Sequence, residues 1–461
     1  MSAIQVQLKG EFVVEGTGDV LEGGSLLLAG SSPTGIEAAE PSSLALPGRW
    51  LMPGFANAHS HAFQRALRGR VEQRPSAPHS GDFWTWRTHM YEAALLLGVA
   101  ELEAVATWCY LDMLRSGFTA VGEFHYLHHA PDGGPYDDPA AVSRALARAA
   151  DRVGIRLVLL QTGYARAGAG RPALPEQRRF VFPSVEAFLE HARAIRRSSL
   201  PGHVTHGLAI HSVRACPRTW IEAIAGEAYA CGLPLHVHVC EQPAEIVECR
   251  AEHGVAPIAL LEACGALSAQ TTVVHATHLD DGDAVRLAQQ GAIACICPST
   301  ERNLGDGLCH TLTLQEAGVS LCIGTDSHAR IDVVDELRSL EDHERLRLLR
   351  RNVLTRAGGS LRHAVVPAAT STGYRSLGLS DCSSRDVVAV GVPLEGAYSA
   401  GAAVDAWLIG GSGRDVTDVF VDGAPVLRER LPTRCRREEV ERDAGAVLKW
   451  LASTNGTQAP G

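Results

Sequence analysis

Several things are scarce in this 461-residue chain, and each scarcity narrows its possible roles. No uninterrupted apolar run approaches the roughly 20 residues that a membrane-spanning helix needs, so no membrane partner is expected. Positive charge is in deficit. Basic residues number 42 against 52 acidic ones, for a net charge of −10, and no nucleic-acid partner is expected. The cysteines form no CxxC pair. Twelve occur, and Cys295 and Cys297 sit inside an apolar run, so they read as reduced thiols buried as small hydrophobes. The opening stretch "MSAIQVQLKGEFVVEG" alternates like a strand and has no basic segment ahead of an apolar core. It does not read as an export signal, and a cytoplasmic protein is expected. Lysine is nearly missing: Lys9 and Lys449 are the two lysines, and the other 40 basic residues are arginine.

What is present is a repeating pattern. Eight short apolar runs end in polar, reactive residues: 51–61, 118–126, 155–164, 206–212, 233–241, 271–278, 292–300 and 320–328. Helix-like segments such as 141–152, 217–231 and 281–290 lie between them. Strand alternating with helix argues for a parallel sheet, and eight such units argue for a closed (β/α)8 barrel. In such barrels chemistry collects at the carboxyl ends of the strands. There the runs place His59, His61, Glu123, His125, His211, His238, Glu241, His275, His278 and Asp326. The flanks differ. Residues 1–52 and 385–461 contain short alternating runs and glycine-rich turns, including "AAVDAWLIGG" at 402–411. They read as two halves of one small β-sandwich around a barrel of residues 53–384. The tail "RREEVERDAGAVLKWLAS" reads as a closing amphipathic helix.

The stretch "FANAHSHAFQ" (55–64) carries two imidazoles on alternate residues. In extended backbone, residues i and i+2 face the same side, so His59 and His61 aim at one point. Neutral imidazole is a common zinc ligand, and a catalytic site needs three or four N/O ligands plus an open position. "LHVHVCE" offers His236 and His238 on one face, and "IGTDSH" ends a strand with Asp326. Strands one, five and eight can converge on the barrel axis.

An HxH on the first strand, H-x-x-E on the fifth (His238 to Glu241), His275 on the sixth and Asp326 on the eighth resemble the mononuclear deaminase branch of the amidohydrolase superfamily. That resemblance implies a metal held by His59, His61, His238 and Asp326. It implies a proton shuttle at Glu241, a polarising or stabilising role for His275, and a water-handling role for Asp326. His236 is then a packed or supporting neighbour. Related barrels bridge two metals with a modified lysine after the fourth strand. No lysine lies in this barrel and the fourth run ends in His211, so one divalent metal, zinc, is expected.

Longer strings resemble the formimidoylglutamate deiminases of histidine degradation: "HSHAFQRAL", "DFWTWRTHMY", "FTAVGEFHYLHH", "IHSVRA", "HVHVCEQPAE", "CPSTERNLGDG" and "IGTDSHARID". The implied small-molecule substrate, N-formimidoyl-L-glutamate, has two carboxylates and a cationic amidine head. Carboxylates call for guanidinium groups, which bind them in bidentate fashion, and Arg87 and Arg214 are the candidates. By the same resemblance Gln64, Tyr126 and His211 complete the pocket, the product is N-formyl-L-glutamate with ammonia, and the assembly is a homodimer. The sequence departs from the family at Ala169, where a bulky aromatic is usual, and at Cys309-His310. Another mononuclear deaminase, acting on a purine, a pterin or an S-adenosyl compound, is the main alternative. It would favour aromatic stacking, and aromatics make up 5% of the chain. A non-catalytic binding homologue would have lost ligands or shuttle, and all are present.

Overall fold

The computed structural model describes residues 3–22, 25–31, 42–72, 83–391 and 398–455. Eight parallel strands form one sheet in sequence order: β1 (Phe55–Ser60), β2 (Phe118–His125), β3 (Arg156–Gly163), β4 (Val204–Ser212), β5 (Leu235–Val239), β6 (Thr271–His275), β7 (Ile293–Ile296) and β8 (Ser320–Ile323). Six of them, β1–β3 and β5–β7, are buried along their whole length. That is why they read as near-continuous apolar runs rather than strict alternation. The sheet closes where β8 meets β1. Asp326 N donates to His59 O at 3.0 Å and His61 N donates to Asp326 O at 3.0 Å. Gly324 permits this approach, because a Cβ there would sit 2.7 Å from the Cβ of His59. The closure therefore runs through the residues singled out as metal ligands. The expected helices at 141–152, 217–231 and 281–290 form as Ala141–Val153, Arg218–Ala230 and Asp283–Gln289.

Both chain ends build further sheets. A three-stranded sheet contains Ala3–Lys9, Ser25–Ser31 and Ser42–Ala45. A seven-stranded sheet interleaves the ends: Arg49–Pro53 pairs antiparallel with Val387–Gly391 and touches Phe12–Val14 on its other side. Leu8, Val13, Leu46, Leu51, Val387, Ala389 and Phe420 form a core of their own there. One expected element is corrected. The run at 402–411 is not a strand but lies in the helix Ala400–Gly410. Its buried residues Ala403, Val404, Trp407 and Leu408 recur at helical spacing, and the alanines favour helix over strand. The tail is a helix as expected, Arg437–Asn455, and packs on the barrel helix Val99–Arg115.

The end sheets are tied to the amino-terminal mouth of the barrel. Trp407 meets Trp50 edge-on at 5.3 Å and stacks on Phe55 at 6.2 Å. Arg156, the first residue of β3, makes two bonds to Asp386 (2.8 and 3.0 Å) and one to Asp422 (3.1 Å), while Tyr374 donates to Asp386 at 2.7 Å. All four side chains are buried.

Candidate active site

At the opposite mouth, three imidazole Nε2 atoms form a triangle. His59 lies 3.2 Å from His61 and 3.0 Å from His238, and His61 lies 3.3 Å from His238. Asp326 Oδ1 is 3.3 Å from His59 Nε2 and 3.4 Å from His61 Nε2. With metal–donor bonds of about 2.0–2.1 Å, the edges of a tetrahedral ligand cage are about 3.3–3.4 Å long. The observed edges are close to that. Hydrogen bonds alone do not account for the triangle, since three ring nitrogens facing one point cannot satisfy one another.

Electrostatics agree with the geometry. Burial pushes His59 down to about 3. Burial likewise lowers His61 and, with the neighbouring His59, lowers His238 well below the ordinary value. Neutral imidazoles are ligands in waiting. His61 Nδ1 pairs with Phe124 O at 2.9 Å; the carbonyl can only accept, so the ring proton lies on Nδ1 and the Nε2 lone pair is left free. Burial opposes ionisation of Asp326, but the contacts with His59, His275 and His61 outweigh it and hold the carboxyl well below the usual range. Three neutral nitrogens and one carboxylate oxygen suit a divalent metal.

Glu241 and His275 lie beside this group. His275 Nε2 is 3.7 Å from Glu241 Oε1 and 3.9 Å from Asp326 Oδ2. Burial raises the Glu241 carboxyl against the pull of His275. Burial disfavours charge on His275, but Glu241, the Glu301 hydrogen bond and Asp326 override it and push the imidazole up to about 10. His275 and Asp326 have positive φ of 73° and 48°, as does Cys240 next to Glu241 at 56°. These residues hold the sparsely populated left-handed region, where strained backbone aims functional side chains.

A cleft of about 510 Å³ opens above the cage. It is lined by every remaining candidate: Gln64, Arg87, Tyr126, His211 and Arg214. Gln64 donates to the Tyr126 hydroxyl at 3.0 Å. The His211 ring lies 5.1 Å from that of His238 and 4.4 Å from that of Tyr164. Arg87 is stacked over Trp84 at 4.4 Å and Tyr91 at 5.5 Å. Arg214 donates to Ala167 O at 3.1 Å. Burial disfavours charge on Arg214, but the facing Tyr164 and Tyr91 hydroxyls hold its affinity for the proton above the ordinary value. Among the described residues, no carboxylate lies within ion-pair distance of either guanidinium.

Other strand-end residues do not converge on the cleft. Glu123 turns into the wall, accepting from Ser60 Oγ at 2.6 Å and Ala62 N at 2.8 Å, and so braces the turn that carries His61. His125 packs against His128. His278 Nε2 pairs with Asp306 O at 2.7 Å. His236 faces the other mouth, donating to Ser376 O at 2.9 Å, in keeping with a packed neighbour. Cys309 is buried, its thiol donating to Ala276 O, while His310 is exposed. Sequence reasoning passed over Glu301, whose Oε1 meets His275 Nδ1 at 3.3 Å, and Gln177, which donates to the Tyr91 and Tyr164 hydroxyls at 2.9 and 2.7 Å. Glu301 sat in "CPSTERNLGDG" and Tyr91 closed "DFWTWRTHMY", but no spacing rule pointed to either.

The sequence model of the amidohydrolase family matches residues 50–385, and the chain belongs to that family. The chain is 40% identical over 417 residues to the formimidoylglutamate deiminase of Pseudomonas aeruginosa, covering 88% of this chain and 89% of that one. It is 26% identical over 436 residues to a 5-methylthioadenosine/S-adenosylhomocysteine deaminase of Shouchella clausii, covering 91% and 92%. A crystal structure of an amidohydrolase from Brucella melitensis superposes with a TM-score of 0.86 at 32% identity, covering 98% of this chain and all of that one. An adenosine deaminase from Xanthomonas campestris with bound zinc shares the fold, with a TM-score of 0.78 at 21% identity over 98% and 99% of the two chains.

Proposed function

We propose that this hydrolase converts N-formimidoyl-L-glutamate and water to N-formyl-L-glutamate and ammonia. The observation that carries the reading is the pair Arg87 and Arg214, two guanidiniums in the cleft with no carboxylate partner among the described residues. A dianionic substrate supplies what they lack. The relative named formimidoylglutamate deiminase supports the same substrate.

His59, His61, His238 and Asp326 would hold a single divalent metal, and the nitrogen-rich donor set and the zinc-bearing structural relative favour zinc. When bound, such an ion acidifies the attacking water toward neutral pH. The chain's own groups do the rest. Arg87 and Arg214 fix the two substrate carboxylates, with Gln64, Tyr126 and His211 shaping the cleft between them and the cage. Glu241 takes a proton as water adds to the formimidoyl carbon and returns it to the departing nitrogen. Asp326 orients the water. His275, protonated through its contacts with Glu241 and Glu301, stabilises the attacking oxygen, which carries the negative charge as the water is deprotonated. The C=N bond breaks as the C=O bond forms, and nitrogen leaves as ammonia.

The flanking sheets suggest a division into a composite unit of residues 1–52 and 385–461 and a barrel of 53–384, supported by the separate core around Leu51 and Val387. Twelve free cysteines fit a reducing, cytoplasmic setting. The test is ammonia release from N-formimidoyl-L-glutamate by zinc-loaded protein, with S-adenosylhomocysteine and adenosine assayed in parallel. Preferred turnover of either nucleoside would overturn the assignment.

A further inference from the structure

The chain carries a net charge of −10, yet one basin on it is strongly basic. It lies apart from the catalytic cleft and measures about 1730 Å³, open to solvent. Arg65, Arg68 and Arg115 enter it from the turn after β1 and from the adjoining helix Val99–Arg115. Arg330 enters from the loop after β8, and Arg414, Arg430 and Arg437 from the carboxyl-terminal region. Asp112 and Asp332 are the two carboxylates in the lining, so seven guanidiniums exceed the acids by five.

Both acids are already engaged. Asp112 accepts from Arg65 at 2.6 Å and Arg115 at 3.5 Å. Asp332 caps the helix Val333–Leu348, accepting from Val334 N and Asp335 N, and also accepts from Gly413 N and Arg330. Arg437 is paired with Glu441. Arg68, Arg414 and Arg430 have no carboxylate within ion-pair distance among the described residues. Arg430 is anchored instead by donating to Val416 O at 3.2 Å. The crowding of like charge is felt: Arg65 is the main influence lowering Arg68 against the pull of Asp112, and burial lowers Arg430, with Arg115, Arg414 and Arg437 adding to it and Asp415 opposing. Like charges gathered in one concavity focus a field that attracts counter-ions. Guanidinium is the side chain matched to phosphate and carboxylate oxygens.

From this arrangement we infer that the basin is a second binding site, taking a small multiply charged anion, a bisphosphate or a tricarboxylate, on Arg68, Arg414 and Arg430. It has its own link to the catalytic centre. Arg65 donates to His328 O at 2.6 Å, and His328 lies two residues beyond Asp326. An anion that recruits Arg65 therefore acts on the loop carrying a cage residue.

The test uses full-length, metal-loaded protein without substrate, titrated calorimetrically with fructose 1,6-bisphosphate and separately with tricarballylate at matched ionic strength. Metal content is measured afterwards. Binding of one or both is expected, and whichever binds tells phosphate from carboxylate chemistry. The variant Arg68→Ser/Arg414→Ser/Arg430→Ser should bind at least about tenfold more weakly, with catalytic turnover retained as proof of folding. Arg214→Met should bind the anion as the parent does. No binding of either anion to the parent at millimolar concentration overturns the inference. So does binding that survives the triple substitution, or that disappears in Arg214→Met and so belongs to the catalytic cleft. The Arg214→Met control also separates this inference from the substrate assignment, since its loss of turnover bears on that assignment alone.

Discussion

His275 Nδ1 lies 3.3 Å from Glu301 Oε1, and that carboxylate oxygen also accepts from Cys297 N at 2.9 Å. The backbone bond fixes the carboxylate, and the carboxylate fixes the ring, leaving Nε2 turned toward Glu241 and Asp326. Removing the charge while keeping the shape, as in Glu301→Gln, takes away one of the anions that hold His275 up at about 10. A group raised in this way is charged below its folded pKa and loses its proton as pH rises through it. The variant should therefore lose turnover at lower pH than the parent on the alkaline side. At neutral pH kcat should fall about 10- to 100-fold, the scale for residues that orient a metal-site group. An unshifted alkaline limb in a kcat–pH profile would remove Glu301 from the mechanism.

Glu241→Gln should lower kcat by about 10²- to 10⁴-fold, the range for a lost general acid–base. The cage itself is untouched, so metal content by elemental analysis should equal that of the parent. Full activity would show that proton transfer runs elsewhere.

Arg87→Met and Arg214→Met should each reduce kcat/KM for the glutamate substrate by about 10²- to 10³-fold, the scale for losing one partner of a desolvated charge pair. Turnover of a truncated substrate lacking one carboxylate should fall in the parent and depend on only one of the two arginines. Equal sensitivity of both variants to an uncharged amidine would contradict carboxylate recognition.

Acid should release the metal. His59 is depressed to about 3 from an ordinary 6.5. A histidine lowered on folding contributes stability that is fully present above 6.5 and is lost as pH falls toward 3, because the unfolded ring takes up a proton that the buried ring refuses, and unfolding disperses the ligands. Metal occupancy and melting temperature should decline together across that window and recover on neutralisation with added zinc. A melting temperature indifferent to both chelation and pH between 6.5 and 4 would speak against the cage.

Arg156→Ala leaves Asp386 buried without its cation, while Asp422 keeps Arg385 at 3.0 Å. Loss of one partner in such a pair costs about 3–5 kcal/mol, and denaturant melts should show a destabilisation on that scale. Catalysis per folded molecule should be unchanged, since the trio lies at the mouth opposite the cage.

The barrel was legible because buried parallel strands leave an unmistakable trace of apolar runs ending in polar residues. His59, His61, His238 and Asp326 were legible for a related reason: all lie at or just past strand ends, where period and position coincide. Glu123 and His125 shared that position, yet side-chain direction sent them into the wall, and position alone does not encode direction. Glu301 was hidden because it lies on a helix after β7, and its contact with His275 exists only in three dimensions. The helix at 400–410 was misread because its glycines and short apolar bursts resemble the strands on either side, while its helical spacing becomes plain only once Trp407 is seen packed on Trp50.

The strand Arg49–Pro53 lies between Phe12–Val14 and Val387–Gly391, and this has a consequence for biosynthesis. Arg49–Pro53 must wait for the entire barrel to be translated before Val387–Gly391 exists, on the order of half a minute at ordinary elongation rates. During that interval Leu51 and Val13 have no Val387 or Phe420 to pack against. The nascent arm is then a stretch of exposed sheet edge, and a cell making this protein quickly would need chaperone capacity at its leading end rather than in its barrel.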